Sequence, residues 1–223
     1  MPRKTIVFFA LAACALLAGD AAALSPHVRD GWVLGLGFGG ARGKATLNSL
    51  PNFDPEVPNA QGEYSGSTED GVAPQVRFAR MLGSHFSLGV AYSGWMYETV
   101  KPDHEAPPAI KWRFSLQSIM LAGTWYPGRA ESGWGGLYIR GGAGLAWTAI
   151  TEVELVPGEE QGHGERQQET GLGVEVVVGY EFRVVPNMSA GIGIGFNHQD
   201  IGGDLYEKSS FYPATLTLGW YWD

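Results

Sequence analysis

The chain of 223 residues is 44% hydrophobic and 17% charged, with 33 glycines, 13 prolines and one cysteine. This composition excludes a disordered chain and a disulfide-stabilised scaffold. The net charge of -8 provides no basic field for a polyanion, so we expect no nucleic acid as a partner.

The N-terminus has the pattern of a secretory signal peptide. Arg3 and Lys4 precede an apolar run over Thr5–Ala18, and three small residues end at Ala23. We predict cleavage before Leu24, which divides the chain into a signal peptide, residues 1–23, and one exported domain, residues 24–223.

Cys14 leaves a second interpretation of this segment open. Leu11-Ala12-Ala13-Cys14 resembles the lipobox of a bacterial lipoprotein, in which the cysteine becomes an acylated N-terminus. The apolar run continues through Leu17, as it does in an uncut signal peptide, which favours cleavage before Leu24.

Beyond the signal peptide, hydrophobic residues alternate with small or polar ones, and this period of two predicts strands. The clearest alternation starts at Trp32 and recurs over Leu172–Val184, Met188–Asn197 and Ala214–Trp222. Weaker alternation predicts four further strands, over Pro74–Leu82, Phe86–Tyr97, Lys111–Tyr126 and Leu137–Thr151.

One of these segments changes phase. Its first half keeps Trp112, Phe114 and Leu116 on one face, whereas its second half keeps Ile119 and Leu121 on the other. An inserted residue would account for the change, so we predict a β-bulge near Gln117.

The connections between the predicted strands alternate in length. Four are long, over residues 42–71, 100–110, 152–170 and 198–210, and three are short, over residues 83–85, 127–136 and 185–187. Long loops on one side, with short turns and both termini on the other, are typical of transmembrane barrels. The predicted fold is therefore all-β: an eight-stranded antiparallel up-and-down transmembrane β-barrel.

The alternative of a soluble lipocalin-like barrel would place the apolar face inside. The non-apolar face is mostly Gly, Ser, Thr and Ala, which is too poor in charge for a solvated surface, so we expect the apolar face to contact lipid. Aromatic residues at the strand ends predict two interfacial girdles. The turn-side girdle comprises Trp32, Trp134, Tyr138, Trp220 and Trp222, and the loop-side girdle comprises Trp112, Trp147, Phe196 and Tyr212.

These features resemble the small eight-stranded outer-membrane barrels of the OmpA, OmpX and OmpW type, over the whole chain beyond residue 23. The closing segment Thr215–Trp222 is similar to the aromatic-ended last strand that the barrel assembly machinery reads, although Asp223 follows it here. We expect a monomer in the bacterial outer membrane, surrounded by lipid and lipopolysaccharide. The resemblance implies no single activity, because the family includes plugs, adhesins, apolar channels and lipid A-modifying enzymes.

Charged residues on the inward phase predict a network inside the barrel, because buried charges in a narrow interior require partners. The predicted network comprises Arg77, Arg113, Arg140, Glu175, Glu181 and Arg183.

Glycines concentrate on the inward phase of three strands that become neighbours when the barrel closes. They are Gly35, Gly37, Gly39, Gly191, Gly193, Gly195 and Gly219. Either Trp95, Tyr97 and Arg113 reach across to fill this wall, or a cleft remains that would pass a small solute.

Acidic residues concentrate in the long loops and include Asp54, Glu56, Glu69, Asp70, Asp103, Glu105, Glu152, Glu154, Glu159, Glu160 and Glu169. They match no defined calcium loop, so we predict no metal site and no cofactor. The leading hypothesis is a structural or surface-interaction role through these acidic extracellular loops, with a narrow channel as the alternative.

The third hypothesis is a lipid A-modifying enzyme. Phe196-Asn197-His198 resembles the histidine region of lipid A deacylase barrels, but Asp200 stands where that family has its serine. The sequence does not place Ser209 or Ser210 relative to His198, so we predict no catalytic residue.

Overall fold

The computed structural model describes residues 29–50, 60–65, 68–100, 110–129, 132, 134–156, 159–162, 167–204 and 206–223. The predicted signal peptide, including Cys14, lies outside the described residues, as do the loop acids Asp54, Glu56, Asp103 and Glu105. No helix in these ranges is long and apolar enough to cross a membrane.

The described residues form ten β-strands. They are β1 (Trp32–Leu50), β2 (Ala60–Ser65), β3 (Glu69–Met81), β4 (Phe86–Val100), β5 (Ile110–Trp125), β6 (Leu137–Val156), β7 (Glu159–Gly162), β8 (Gln167–Val185), β9 (Met188–Asp200) and β10 (Tyr206–Trp222).

Eight of the strands form a closed antiparallel barrel. They pair in the order β10-β9-β8-β6-β5-β4-β3-β1, and the pairing of β10 with β1 closes the ring. The short strands β2 and β7 pair with the loop-side ends of β1 and β6. The eight-stranded fold predicted from the alternation is confirmed.

Several strands continue beyond their predicted ends on the loop side. β1 runs to Leu50, through residues that were predicted as loop, and β9 and β10 are separated only by residues 201–205. The register explains the difference, because Lys44 and Thr46 of β1 are paired with residues of β10. Outside the hydrocarbon these paired strands have no lipid-facing side, so their sequence lacks the apolar alternation.

The predicted bulge near Gln117 is wrong. β5 pairs with β4 and β6 in one continuous register along its length. Trp112, Phe114 and Leu116 are buried in the interior, whereas Ile119 and Leu121 are exposed on the outer face. The loop-side half of β5 turns its apolar side chains to the interior, with Arg113 and Ser115 outside, whereas the half in the apolar belt turns them outwards. A regular alternation of inward and outward residues therefore looked like a change of phase.

An apolar belt surrounds the barrel. Its exposed side chains include Phe38, Val90, Leu121, Leu145, Leu172, Val176, Ile194 and Leu216. From Tyr212 to Trp222, β10 rises about 33 Å at about 3.3 Å per residue, and a tilt of about 40° reduces this to a height of about 25 Å. This height matches the lipid-facing band of transmembrane barrels.

Most of the predicted girdle residues lie on the outer face. Trp222 and Trp134 are exposed at the turn side, and Phe196 and Tyr212 at the loop side. Trp112 and Tyr138 are exceptions, because both are buried inside the barrel. Their positions near strand ends suggested a girdle, but their strand phase points them inwards.

The interior contains two apolar clusters at different heights. The loop-side cluster is built mainly from aromatic residues and includes Trp95, Tyr97, Trp112, Phe114, Tyr206 and Phe211. The turn-side cluster comprises Val33, Ala79, Met81, Tyr126, Tyr138, Val177 and Tyr221. We call the loop-side set the aromatic layer.

Trp95 lies at the centre of this layer, and its removal tests how tightly the layer is packed. Its ring stacks on Tyr97 at 4.4 Å and on Phe211 at 5.4 Å between ring centroids. We expect Trp95→Ala to lower the free energy of unfolding by about 3–5 kcal/mol, because it leaves a cavity. Urea unfolding in lipid vesicles, followed by gel shift, measures the change. The control Leu145→Ala removes a lipid-facing side chain without making a cavity, and an equal loss in both variants would contradict a packed layer.

Candidate functional site

Glu181 is the centre of the buried ion-pair network in the turn-side half. Its Oε1 accepts hydrogen bonds from Arg77 Nη2 at 3.1 Å and from the Tyr126 hydroxyl at 3.3 Å. Its Oε2 accepts a hydrogen bond from the Tyr221 hydroxyl at 2.6 Å. The carboxylate thus links β3, β8 and β10 with the segment that follows β5, across the interior of the barrel.

Arg140 and Glu175 form a second buried pair. Arg140 donates from Nε and Nη2 to Glu175 Oε1, both at 3.0 Å, and Nη2 also donates to Gln75 Oε1 at 3.1 Å. The strands that carry the two charges, β6 and β8, are adjacent, whereas Gln75 lies on β3. The predicted network is therefore resolved into two pairs, each tied to a polar partner on a distant strand.

Two further arginines lie on tyrosine rings at the turn-side mouth. The Arg183 guanidinium lies 4.4 Å from the centroid of Tyr221, and that of Arg29 lies 3.8 Å from the centroid of Tyr126. Arg29 also donates a hydrogen bond to the carbonyl of Gly135. Sequence reasoning missed Arg29, because it precedes the first strand and so has no phase that would mark it as inward.

Arg113 does not belong to this network. It lies on the outward phase of β5, and its side chain is 48% exposed. There it donates to Glu98 Oε1 from Nε at 2.8 Å and from Nη2 at 2.6 Å. The prediction of an inward Arg113 depended on the bulge near Gln117, so both fail for the same reason.

The seven predicted glycines all lie on the inward phase. Side-chain atoms lie within 4 Å of the Cβ position at six of them, whereas at Gly39 the nearest atoms are backbone atoms of β10. A Cβ on Gly35 would lie 3.4 Å from Arg77 Nε, and one on Gly37 would lie 3.2 Å from Gln75 Cβ. A Cβ on Gly193 would lie 2.8 Å from the Tyr138 hydroxyl oxygen. The glycines therefore form a shallow bed on which long side chains from other strands lie.

A small cavity remains between this bed and the two ion pairs. It measures about 20 Å³ and is lined by Gly35, Gly37, Arg77, Arg140 and Glu181, among others. A volume of this size has space for about one water molecule. Trp95 and Tyr97 point inwards as expected, but they pack in the aromatic layer. Arg77, Gln75 and Tyr138 instead cover three of the glycines, at positions 35, 37 and 193.

His198 lies on the outer wall, near the loop-side edge of the apolar belt. Its Nδ1 is 2.8 Å from the hydroxyl of Ser210, which is its direct cross-strand partner on β10. Both side chains are partly buried. The neighbouring Ser209 points inwards and donates to Gln199 Oε1 at 3.4 Å. Alternation along β10 therefore distinguishes the two serines once the register is known.

No protein-family model matches the chain, and no curated protein is a significant relative. Solved structures do match. Ail, the attachment invasion locus protein of Yersinia pestis in complex with the heparin analogue sucrose octasulfate, aligns over 86% of this chain and 99% of its own, with 12% identity and a TM-score of 0.53. Neisserial surface protein A aligns over 88% and 100%, with 13% identity and a TM-score of 0.47.

The chain has the fold of the small eight-stranded outer-membrane barrels. The match to Ail supports this assignment at the level of fold. The closed eight-stranded barrel with its apolar belt places the chain in a bacterial outer membrane. In an outer-membrane barrel of this size the interior is wide enough only for side chains, which agrees with the covered glycines and the paired charges described above.

The contact of Tyr138 with the glycine bed can be tested by adding one carbon. We expect Gly193→Ala to lower the free energy of unfolding by about 1–3 kcal/mol, because its methyl group overlaps the Tyr138 hydroxyl. Tyr138→Phe should restore part of this loss in the double variant. Gly40→Ala is the control, since its Cβ would approach only the Gly71 carbonyl oxygen, at 3.7 Å. Equal urea midpoints for the two alanine variants would contradict the contact.

The Glu181 network should lose stability when its acceptor is removed. Glu181→Leu leaves the Arg77 guanidinium and two tyrosine hydroxyls without this carboxylate, so we expect a loss of about 3–5 kcal/mol. The double variant with Arg77→Met should recover part of the loss. Arg113→Ala, at an exposed pair, should cost less than about 1 kcal/mol. Urea unfolding in vesicles measures all three, and a harmless Glu181→Leu would refute the network's role.

Proposed function

We propose that the protein is a non-conducting outer-membrane barrel that presents its loop-side strand extensions and loops to a partner outside the cell. The filled interior is the observation that carries this proposal. A barrel without a through passage acts as a rigid anchor, so its function lies on its surface.

The aromatic layer supports closure of the loop-side half. The Tyr97 and Phe114 rings stack with centroids 4.7 Å apart, and Phe114 meets Tyr206 edge to face at 6.3 Å. Together with the stack of Trp95 on Phe211, these contacts connect rings from β4, β5 and β10 across the interior. Interdigitated aromatic side chains of this kind leave little space between them.

The turn-side half supports closure by a different means. Its charges are held in direct ion pairs, and the cavity beside them is about 20 Å³. A solute larger than water would have to break the pair of Arg77 with Glu181 or that of Arg140 with Glu175. These observations favour the surface role over the narrow channel that the glycine pattern suggested.

The charge of the outer end indicates what kind of partner would fit. Acidic residues occur along the strand extensions, including Glu69 and Asp70 on β3 and Glu169 on β8. The chain as a whole carries a net charge of -8. Ail, which shares the fold, was solved with a heparin analogue, but a polyanion would be repelled here. We therefore propose a partner that presents basic side chains.

The last strand supports a further part of this proposal. Trp220 and Trp222 lie on the outward phase at the turn-side end of β10, in the segment Thr215–Trp222. This arrangement fits recognition of the segment by the barrel assembly machinery, followed by insertion as a monomer.

Planar-bilayer recording tests whether the interior is closed. We expect the folded wild-type protein to give no steady single-channel current, because the aromatic layer and the ion pairs fill the interior of the barrel in the part of the chain that the structure describes. The double variant Trp95→Ala with Phe211→Ala should show intermittent openings, since both stacked rings are removed. Leu216→Ala, on the lipid face, is the matched control. Reproducible conductance by the wild-type barrel would overturn the proposal and would favour a narrow channel along the glycine bed.

A further inference from the structure

The outer wall of the barrel carries a serine that is hydrogen-bonded to a histidine, at a position that membrane lipid can reach. Ser210 Oγ and His198 Nδ1 are 2.8 Å apart. When the imidazole proton is on Nε2, Nδ1 accepts the hydrogen bond of the hydroxyl. This is the contact by which a histidine activates a serine as a nucleophile.

The pair lies at the boundary between the apolar belt and the polar strand extensions. The next outward residues towards the membrane centre are Phe196 on β9 and Tyr212 on β10, each two residues from the pair and about 7 Å away along its strand. The centroids of their rings are 5.3 Å apart. Beyond them the wall is apolar, with Ile194 and Leu216 both exposed. Aromatic rings of this kind lie at the level of lipid headgroups, where the acyl esters of membrane lipids are found.

The polar side of the pair carries charged groups. Lys44 of β1 is the direct cross-strand partner of Ser210, and Arg42 and Lys208 are also outward and exposed. Two of these cations form ion pairs. Arg42 Nε lies 3.8 Å from Asp70 Oδ1, and Lys208 Nζ lies 2.8 Å from Glu207 Oε1. No acid among the described residues contacts Lys44, and its register opposite Ser210 puts a cation within side-chain reach of an anionic oxygen there.

We propose that Ser210 and His198 are catalytic residues that hydrolyse an acyl ester of a lipid in the outer leaflet. Ser210 acts as the nucleophile and His198 as the base, while the apolar wall beneath them receives the acyl chain. The Lys44 ammonium stabilises the negative charge that develops on the ester carbonyl oxygen. This activity is separate from surface display and does not depend on it.

The reaction needs only the ester and water. Ser210 Oγ forms a bond to the ester carbonyl carbon as its proton moves to His198 Nδ1. The bond from that carbon to the alcohol oxygen then breaks, and the alcohol leaves with the proton from His198. Water attacks the acyl-serine, His198 takes its proton, and the fatty acid departs as Ser210 regains a proton.

The competing explanation is a purely structural contact. Cross-strand polar pairs stabilise antiparallel sheets without any chemistry. The two explanations differ in what they predict for a serine-reactive probe and for ester turnover. They also differ in how the chain responds to loss of His198, because a structural pair would change stability alone.

The experiment uses the whole barrel, residues 24–223, in vesicles of two compositions, one with lipopolysaccharide and one with phosphatidylethanolamine and phosphatidylglycerol only. Mass spectrometry measures released fatty acid, and a fluorophosphonate probe reports a nucleophilic serine. We expect release and labelling for the wild type. Ser210→Ala and His198→Ala should each lower the release by about 10²-fold or more. Migration of unheated samples in SDS gels confirms that every variant is folded.

Ser115→Ala is the matched control. Ser115 also lies on an outward phase, and its hydroxyl accepts a hydrogen bond from Gln117 Nε2 at 2.6 Å rather than contacting a histidine. We expect this variant to keep full release. Release only from the vesicles with lipopolysaccharide identifies the glycolipid as the source of the ester, and release from the vesicles without it identifies phospholipid. No release by the folded wild type from either, or equal release by Ser210→Ala, would overturn the proposal and leave the pair with a structural role.

Discussion

An eight-stranded barrel has an interior only as wide as the side chains that fill it, and this constraint governs every inward position of the protein. Long side chains from β3 and β6 lie against glycines of nearby strands, on the adjacent β1 and on β9, two strands from β6. Arg77 lies over Gly35, and Tyr138 lies over Gly193. The glycines and the long side chains are therefore two parts of one packing solution, and neither part is stable without the other.

The interior is divided by chemistry as well as by space. Ion pairs and tyrosine hydroxyls fill the turn-side half, whereas stacked rings fill the loop-side half. Buried charges require fixed partners, and stacked rings require close contact, so both halves favour a single rigid arrangement. A rigid barrel keeps the side chains on its outer surface in fixed positions, both at the acidic strand extensions and at the wall where Ser210 contacts His198.

Strand faces could be predicted from the sequence wherever one face is apolar and the other is small, as over Leu172–Val184. The prediction failed on β5, because Trp112 and Phe114 are as hydrophobic as the residues that contact lipid, so the pattern could not tell core from membrane. That error also misplaced Arg113. The proximity of Ser210 to His198 could not be predicted, because it depends on the register between β9 and β10 and on strands that continue past the membrane.

The closed interior is tested most directly by asking whether water-borne reagents reach it. Ser118 is fully buried on the inward phase of β5, and its hydroxyl donates to the Ser93 carbonyl at 3.4 Å. A cysteine at position 118, in a chain that begins at Leu24 and so lacks Cys14, should resist a water-soluble maleimide while the barrel is folded and react once it is unfolded. A cysteine at the exposed turn residue Ser84 provides the reference rate. Labelling of the folded Ser118→Cys barrel at that reference rate would show that solvent passes through the interior and would contradict the account.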